Sequence, residues 1–367
     1  MEETGMSCCP RLRVRSICGV LPMNVIEARI VPARQARHLH FIGKTIMKLG
    51  LLKRVCAAIG LAAVAASSVL AAGYPERAIE FVVPSSPGGG TDVMARTFTD
   101  VARKYISQPL VVSNKPGASG GIGMGEVQRA APDGYKVSVL ISELAIIPHL
   151  GMTKFTTNDF VPIARINADP GTIAVRADAP WRSIEEFLDQ ARKHPGEVKM
   201  GNAGSGTIWH LAAAAVEQKT GVQFNHIPFQ GAAPSVMGLL GGHVDAITVS
   251  PAEIGPYVAS GKLKVLALMA DQRLPGLYEA VPTFKERGVG LSVGTWRGLG
   301  VPTGTPPDVV KFLRDVTRKT VDDPAFKEAM NKNNLLVSYM EGDQFKSFMA
   351  AQSDSSKDLL TKVKVQK

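Results

Sequence analysis

Ala78–Asp92 reads AIEFVVPSSPGGGTD. Six residues dominated by β-branched and aromatic side chains run into the turn Pro84-Ser85-Ser86-Pro87-Gly88-Gly89-Gly90, and a helical pattern follows. Met94, Phe98, Val101, Ala102 and Tyr105 fall at i, i+4, i+7, i+8 and i+11, one apolar stripe, with Thr91 or Asp92 expected as the N-cap. A strand that feeds a helix through a glycine-rich turn is the unit from which α/β folds are built.

The unit recurs along the chain. Strands are expected at Pro109–Ser113, Tyr135–Ile141, Val198–Gly201, Asn225–Phe229, Asp245–Val249 and Lys262–Met269. Helices are expected around Gly125–Ala130, over Thr207–Thr220 with Gly221 as the stop, and over Ala232–Leu240 before Gly241-Gly242. Ser250-Pro251-Ala252-Glu253 opens another, with a capping-box spacing and proline at the first helical position. Pro306–Val321, Pro324–Asn331 and Asp343–Val363 complete the set. Strands alternating with helices over 367 residues predict an α/β protein of about two domains with mostly parallel sheets.

The net charge of +10 would suggest a nucleic-acid partner if it were spread over the chain. It is not. Residues 1–71 carry ten Lys/Arg against Glu2, Glu3 and Glu27, which leaves 32 Lys/Arg against 29 Asp/Glu in the body. No nucleic-acid footprint remains. Cys8, Cys9, Cys18 and Cys56 also precede residue 72, so the body has no disulfide, thiolate nucleophile or Cys-ligated metal. Lys48, Lys53 and Arg54 lead into the apolar run Ala57–Leu70 and the small residues Ala71-Ala72, the layout of a cleaved export signal. The run is short of the roughly 20 apolar residues of a membrane span. The expected division is an extension of the gene model over 1–46, a signal peptide over 47–71 and a periplasmic protein beyond.

Three strand–loop–helix junctions are built from Gly, Ser, Thr and Ala: Pro84–Asp92, Gly201–Thr207 (GNAGSGT) and Phe229–Pro234 (FQGAAP). One such junction describes any tight turn with a capped helix. Three together point to an anion site, because helix N-termini offer free N–H groups and partial positive charge without Lys or Arg. No phosphate-loop or dinucleotide motif occurs, so no cofactor is expected. The five body histidines lack metal-ligand spacing, so no metal is expected either. Gly117-Ala118-Ser119-Gly120-Gly121 matches G-x-S-x-G, and Ser119 with His149, His210, His226 or His243 is a nominal hydrolase site. The flanking Pro116 and glycines favour a mobile loop instead. Arg297, in Gly294-Thr295-Trp296-Arg297-Gly298, has two readings: a bidentate carboxylate clamp or an ion pair in a hinge strand. Trp181, Trp209 and Trp296 read as packing residues.

From Tyr74 to about Phe348 the chain resembles the substrate-binding receptors of tripartite tricarboxylate transporters, the TctC-like or Bug group. The resemblance is carried, in order, by YPERAIEFVVPSSPGGGTDVMAR (74–96), NKPGASGGIG (114–123), AAPDGY (130–135), GNAGSGTIWHLA (201–212), HIPFQGAAP (226–234), LLGGHVDA (239–246), ASGKLKVLAL (259–268), VPTFKERG (281–288) and GTWRGLGVPTGTP (294–306). It implies a two-lobed periplasmic-binding-protein fold of type II, a hinged trap of the Venus-flytrap kind. Lobe 1 would comprise 72–172 and 296–367, and lobe 2 173–295. It also implies a non-enzymatic, monomeric receptor that passes a small carboxylate to the membrane permease subunits of a transporter. Such a ligand is held by loop backbone groups and ordered waters. The resemblance places Ser85, Ser86, Gly88, Gly89, Gly90, Thr91 and Asp92 on the lobe 1 side, Asp92 as a cap and not a ligand contact, with Ser142 beside them. Gly204, Ser205, Gly206, Thr207, Gly231, Ala232, Ala233 and Ser250 would face them from lobe 2.

The chain departs from the family pattern in places. Ser85-Ser86 replaces an aromatic and a small residue, and Gln230 stands where Lys is common. Glu143 would repel an anion if it pointed inward. Val249-Ser250 replaces an acidic pair of the amino-acid-binding members, which favours a di- or tricarboxylate. A same-fold sensory receptor feeding a signalling partner, and a secreted serine hydrolase using Ser119, are the alternatives.

Overall fold

Strand β1 (Ile79–Val83) is buried at four of its five positions and lies between β2 (Leu110–Asn114) and β3 (Lys136–Ile141), both parallel to it. The computed structural model of the protein describes residues 73–362. The stretches read as an extension (1–46) and a signal peptide (47–71) lie outside these, as do all four cysteines. Beyond β3 the sheet continues through β9 (Gly294–Pro302), β4 (Phe160–Arg176) and β10 (Val337–Glu341), each antiparallel to its neighbour. A second sheet has the order β6 (Asn225–Pro228), β5 (Lys199–Asn202), β7 (Ala246–Val249), β4, β8 (Leu263–Met269).

Strand β4 belongs to both sheets. Its first part pairs with β9 as far as Pro170↔Gly294, and from Gly171↔Met269 onward it pairs with β8 and β7. The chain thus crosses between the lobes twice, side by side. Where the crossings touch, a Cβ on Gly294 would stand 2.3 Å from the Asp169 carbonyl oxygen, so only glycine fits. Pro162 sits beside a register shift and Pro170 at the change of partners, places where a missing N–H costs no ladder bond. The expectation of mostly parallel sheets is corrected here. Each lobe keeps a three-stranded parallel core, but the crossing strands β4 and β9 pair only antiparallel, and β8 and β10 join β4 antiparallel.

Helix α1 (Gly90–Ala102) packs Met94, Phe98, Val101 and Ala102 into the lobe 1 core beside Phe81, Phe326 and Phe345. Burial of each large apolar side chain there stabilises the fold by about 1.5–3 kcal/mol. Tyr105 lies beyond the helix. The N-cap is Gly89, not Thr91 or Asp92. Asp92 instead accepts from Gly88 N–H, Arg96 and Asn114, which together outweigh its burial and hold its carboxyl below the usual range. Helix α2 (Gly121–Gln128) starts earlier than its sequence pattern suggested. In lobe 2 come α3 (Ile184–Lys193), α4 (Ile208–Thr220), α5 (Ala232–Leu240) and α6 (Pro251–Ala259). The lobe 2 sheet alternates with period two, Ile173 and Val175 facing one apolar cluster and Ala174 the other. Helices α7 (Pro307–Asp322), α8 (Pro324–Lys332) and α9 (Gly342–Lys362) return to lobe 1.

Candidate functional site

The three Gly/Ser/Thr junctions meet at one cavity of about 350 Å³ between the lobes. Ser85, Ser86, Gly89, Gly90 and Thr91 line it from lobe 1, and Gly204, Ser205, Thr207, Gly231 and Ala232 from lobe 2. Ser85 lines this wall, and its hydroxyl, itself buried, has no hydrogen-bond partner among the described residues. Two serine hydroxyls bond across the cavity to backbone carbonyls of the other lobe: Ser86 Oγ donates to the Gln230 carbonyl (2.6 Å), and Ser119 Oγ to the Ser205 carbonyl (2.8 Å).

Five of the expected residues stand off the wall. Gly88 donates its N–H to Asp92, and Gly206 donates its N–H to His210 Nδ1 (3.1 Å). Ala233 is one position past the lining residue of α5. Ser250 caps α6 through a capping box with Glu253, its N–H donating to Glu253 Oε2 at 2.8 Å. Ser142 lies behind the wall, bonded to Thr295 Oγ1 (2.9 Å) and donating to Glu143 Oε2 (3.2 Å). It is Glu143 that reaches the cavity, so the acid suspected of repelling an anion does point inward.

Glu143, Glu253, Thr295 and Arg297 form the charged side of the cavity. Arg297 is 2% exposed. Its Nε donates to Thr91 Oγ1 (3.0 Å), Nη1 to Asn167 Oδ1 (2.7 Å) and Asp169 Oδ2 (2.5 Å), and Nη2 to Glu253 Oε1 (3.2 Å). Of its two readings the structure therefore gives the ion pair at the crossing strands, with the guanidinium already engaged on all three nitrogens. Gly90 N–H also donates to Glu253 Oε1 (3.1 Å), and a Cβ on Gly90 would stand 2.6 Å from that oxygen and 2.7 Å from Arg297 Nη2. Across the cleft, Ile208 N–H at the start of α4 donates to Glu143 Oε1 (3.1 Å). Each lobe thus sends one carboxyl group to the N-terminus of a helix in the other. Burial pushes both carboxyls up from their ordinary values, and the charge of Arg297 pulls each part-way back.

Thr207 is the N-cap of α4, its Oγ1 accepting from His210 N–H and donating to the Gly204 carbonyl (2.7 Å). Burial, with His226 beside it, lowers the His210 pKa to about 4. Ser119 lies in a left-handed backbone (φ 52, ψ 40) that holds it against lobe 2, and its hydroxyl bonds no histidine among the described residues. The loop expected to be mobile is therefore pinned at Ser119. His149 bonds Ser353, and His226 bonds Glu217. Trp209 and Trp296 are buried as packing residues, Trp209 also reaching the cavity wall. Among the described residues no three His, Cys, Asp or Glu side chains gather as a metal site, and no helix is long and apolar enough to cross a membrane. Glu253 was hidden in the sequence by its role in the capping box. Thr295 and Arg297 became site residues only through the second crossing.

Two lobes joined by paired crossing strands, with a cavity between them, define a binding protein of the periplasmic-receptor fold. The family model for the tripartite tricarboxylate transporter family receptor matches residues 94–365, and the chain belongs to that family. It is similar to the solved structure of a TctC solute-binding protein from Polaromonas, 51% identical over 79% of this chain and 100% of that one, with a TM-score of 0.61. It is also similar to the periplasmic binding protein BugD, at 32% identity over 80% and 99% of the two chains and a TM-score of 0.76. MatC from Rhodopseudomonas palustris, solved with bound malate, is 26% identical over 78% and 99%, with a TM-score of 0.72.

Proposed function

We propose that this protein is an exported receptor that captures a small carboxylate in the cleft and hands it to the membrane permease of a tripartite transporter. The observation that carries this reading is the convergence of three helix-opening junctions on one cavity between the lobes. Family membership and the malate bound by MatC support it. In this reading 47–71 directs export, 72–172 with 296–367 and 173–295 move as the two lobes, and closure about the paired crossings encloses the ligand. The protein works as a monomer, without cofactor or catalysis.

The expectation of a di- or tricarboxylate rested on the loss of an acidic pair at Val249-Ser250. Glu143 and Glu253 return two acids to the cavity from other positions, so that ground no longer favours a multiply charged ligand. The experiment is thermal melting of the periplasmic form, unfolded and refolded to strip any carried ligand, against mono-, di- and tricarboxylates. A ligand at 100 times its Kd adds about 2.7 kcal/mol, a rise of several degrees in Tm. A selective rise with one carboxylate supports the reading. A cooperative melt unmoved by every carboxylate contradicts it.

A further inference from the structure

We propose that Glu143 makes the cleft select a ligand with one carboxylate and a hydrogen-bond donor at its other end, a hydroxy- or amino-monocarboxylate, over a dicarboxylate of the same length. This rests on the reading of the cleft as a carboxylate site and narrows its ligand class.

The cavity wall holds one cation, Arg297, and two acids, Glu143 and Glu253, with Asp169 directly behind Arg297. Asp169 neutralises Arg297, which is spent on protein partners and offers a ligand no free positive charge. Glu253 is also filled. Its Oε1 accepts from Gly90 N–H and Arg297 Nη2, and its Oε2 from the Ser250 N–H and hydroxyl, four donors for about four lone-pair sites.

Glu143 is not filled. Its Oε1 takes Ile208 N–H (3.1 Å), its Oε2 takes the Ser142 hydroxyl at 3.2 Å, which is shared with Thr295, and the carboxyl also takes its own backbone N–H, three donors for about four lone-pair sites. At 6% exposure on the wall of the cavity, a carboxyl with an unused acceptor site is best satisfied by a donor on the ligand. Beside an ionised Glu143 a second ligand carboxylate would set like charges together, so the pair could be accommodated only by taking up a proton, which burial of Glu143 already favours, at the cost of the proton's uptake from solution. The two acids have also taken helix N-terminal amides, Gly90 of α1 and Ile208 of α4, that would otherwise receive ligand carboxylates. The start of α5, where Gly231 and Ala232 line the wall, is a helix N-terminus that neither acid occupies, and it is the one we assign to the ligand's carboxylate.

The test is calorimetric titration of the stripped periplasmic protein and its Glu143→Gln variant with 4-hydroxybutyrate, 4-aminobutyrate and succinate. Wild-type protein is expected to bind one of the two monocarboxylates at least 10-fold more tightly than succinate. Gln keeps an oxygen for Ile208 N–H but removes the charge and adds an N–H2 donor. It should therefore weaken the monocarboxylate by at least 10-fold and strengthen succinate, a gain that misfolding cannot produce. Tighter succinate binding by the wild type, or an unchanged preference in the variant, overturns this proposal and leaves the receptor reading standing. Absence of binding by all three acids overturns the proposal, and extending that absence to the whole carboxylate panel overturns the receptor reading too.

Discussion

Arg297 shows how a residue's role can be chemically constrained by sequence and still undecided. A lone arginine among small and apolar residues is either paired or used, and nothing in Gly294–Gly298 says which. The partners decide it. Asn167 and Asp169 lie some 130 positions away on β4, and Glu253 comes from α6. Replacement by Met leaves Asp169 and Glu253 as uncompensated buried carboxylates, so Arg297→Met should cost about 3–5 kcal/mol in denaturant unfolding. Adding Asp169→Asn should recover part of that loss. A single variant as stable as wild type would contradict the ion-pair assignment. Glu143 was visible as a departure from the family pattern, and its inward direction follows from the turn Ser142–Ala145, which sends Ser142 back to Thr295.

At the scale of elements, what could be read locally was read well. Helix α5 falls on its expected bounds, and α4 and α6 start within a residue of theirs, because caps and glycine stops are local signals. Strands β4, β9 and β10 and helix α3 escaped. Two prolines interrupt β4, glycines dilute β9, and these strands draw their stability from partners far along the chain. The opening of α4 carries a pH signature of its own. His210 must stay neutral for Nδ1 to accept from Gly206 N–H, and its pKa of about 4 lies below the ordinary 6.5. Between those values the unfolded chain binds more protons than the native one. Stability from this site should therefore be complete above about pH 6.5, fall as the pH drops towards 4, and level off below. The total is on the order of 3 kcal/mol. The His210→Asn variant, whose Oδ1 can take the same N–H, should lack this component of the pH–stability profile. Parallel profiles for the two proteins would contradict the role given to His210.

At the scale of the whole molecule, the two-lobed plan came from the family resemblance and the alternation of strands and helices, while the crossing geometry came from neither. The interlobe contacts, Ser86 with Gln230, Ser119 with Ser205, Gly90 with Glu253 and Ile208 with Glu143, give the closed cleft polar ties of its own. Such bonds are worth about 1 kcal/mol each, more where a carboxylate accepts, so ligand capture and lobe closure draw on the same few groups. The central claim is that a small carboxylate binds in this cleft. Ala232, on the cavity wall at the start of α5 and at the edge of both lobe 2 apolar clusters, offers the direct test, since Ala232→Trp would crowd the cleft and a cooperative melt reports that lobe 2 has accommodated it. The measurement is calorimetric titration of stripped wild-type and Ala232→Trp protein with the carboxylate that raises Tm most. The account predicts one-site binding by the wild type and loss of that binding in a variant that still melts cooperatively. Undiminished affinity in the blocked variant would contradict it.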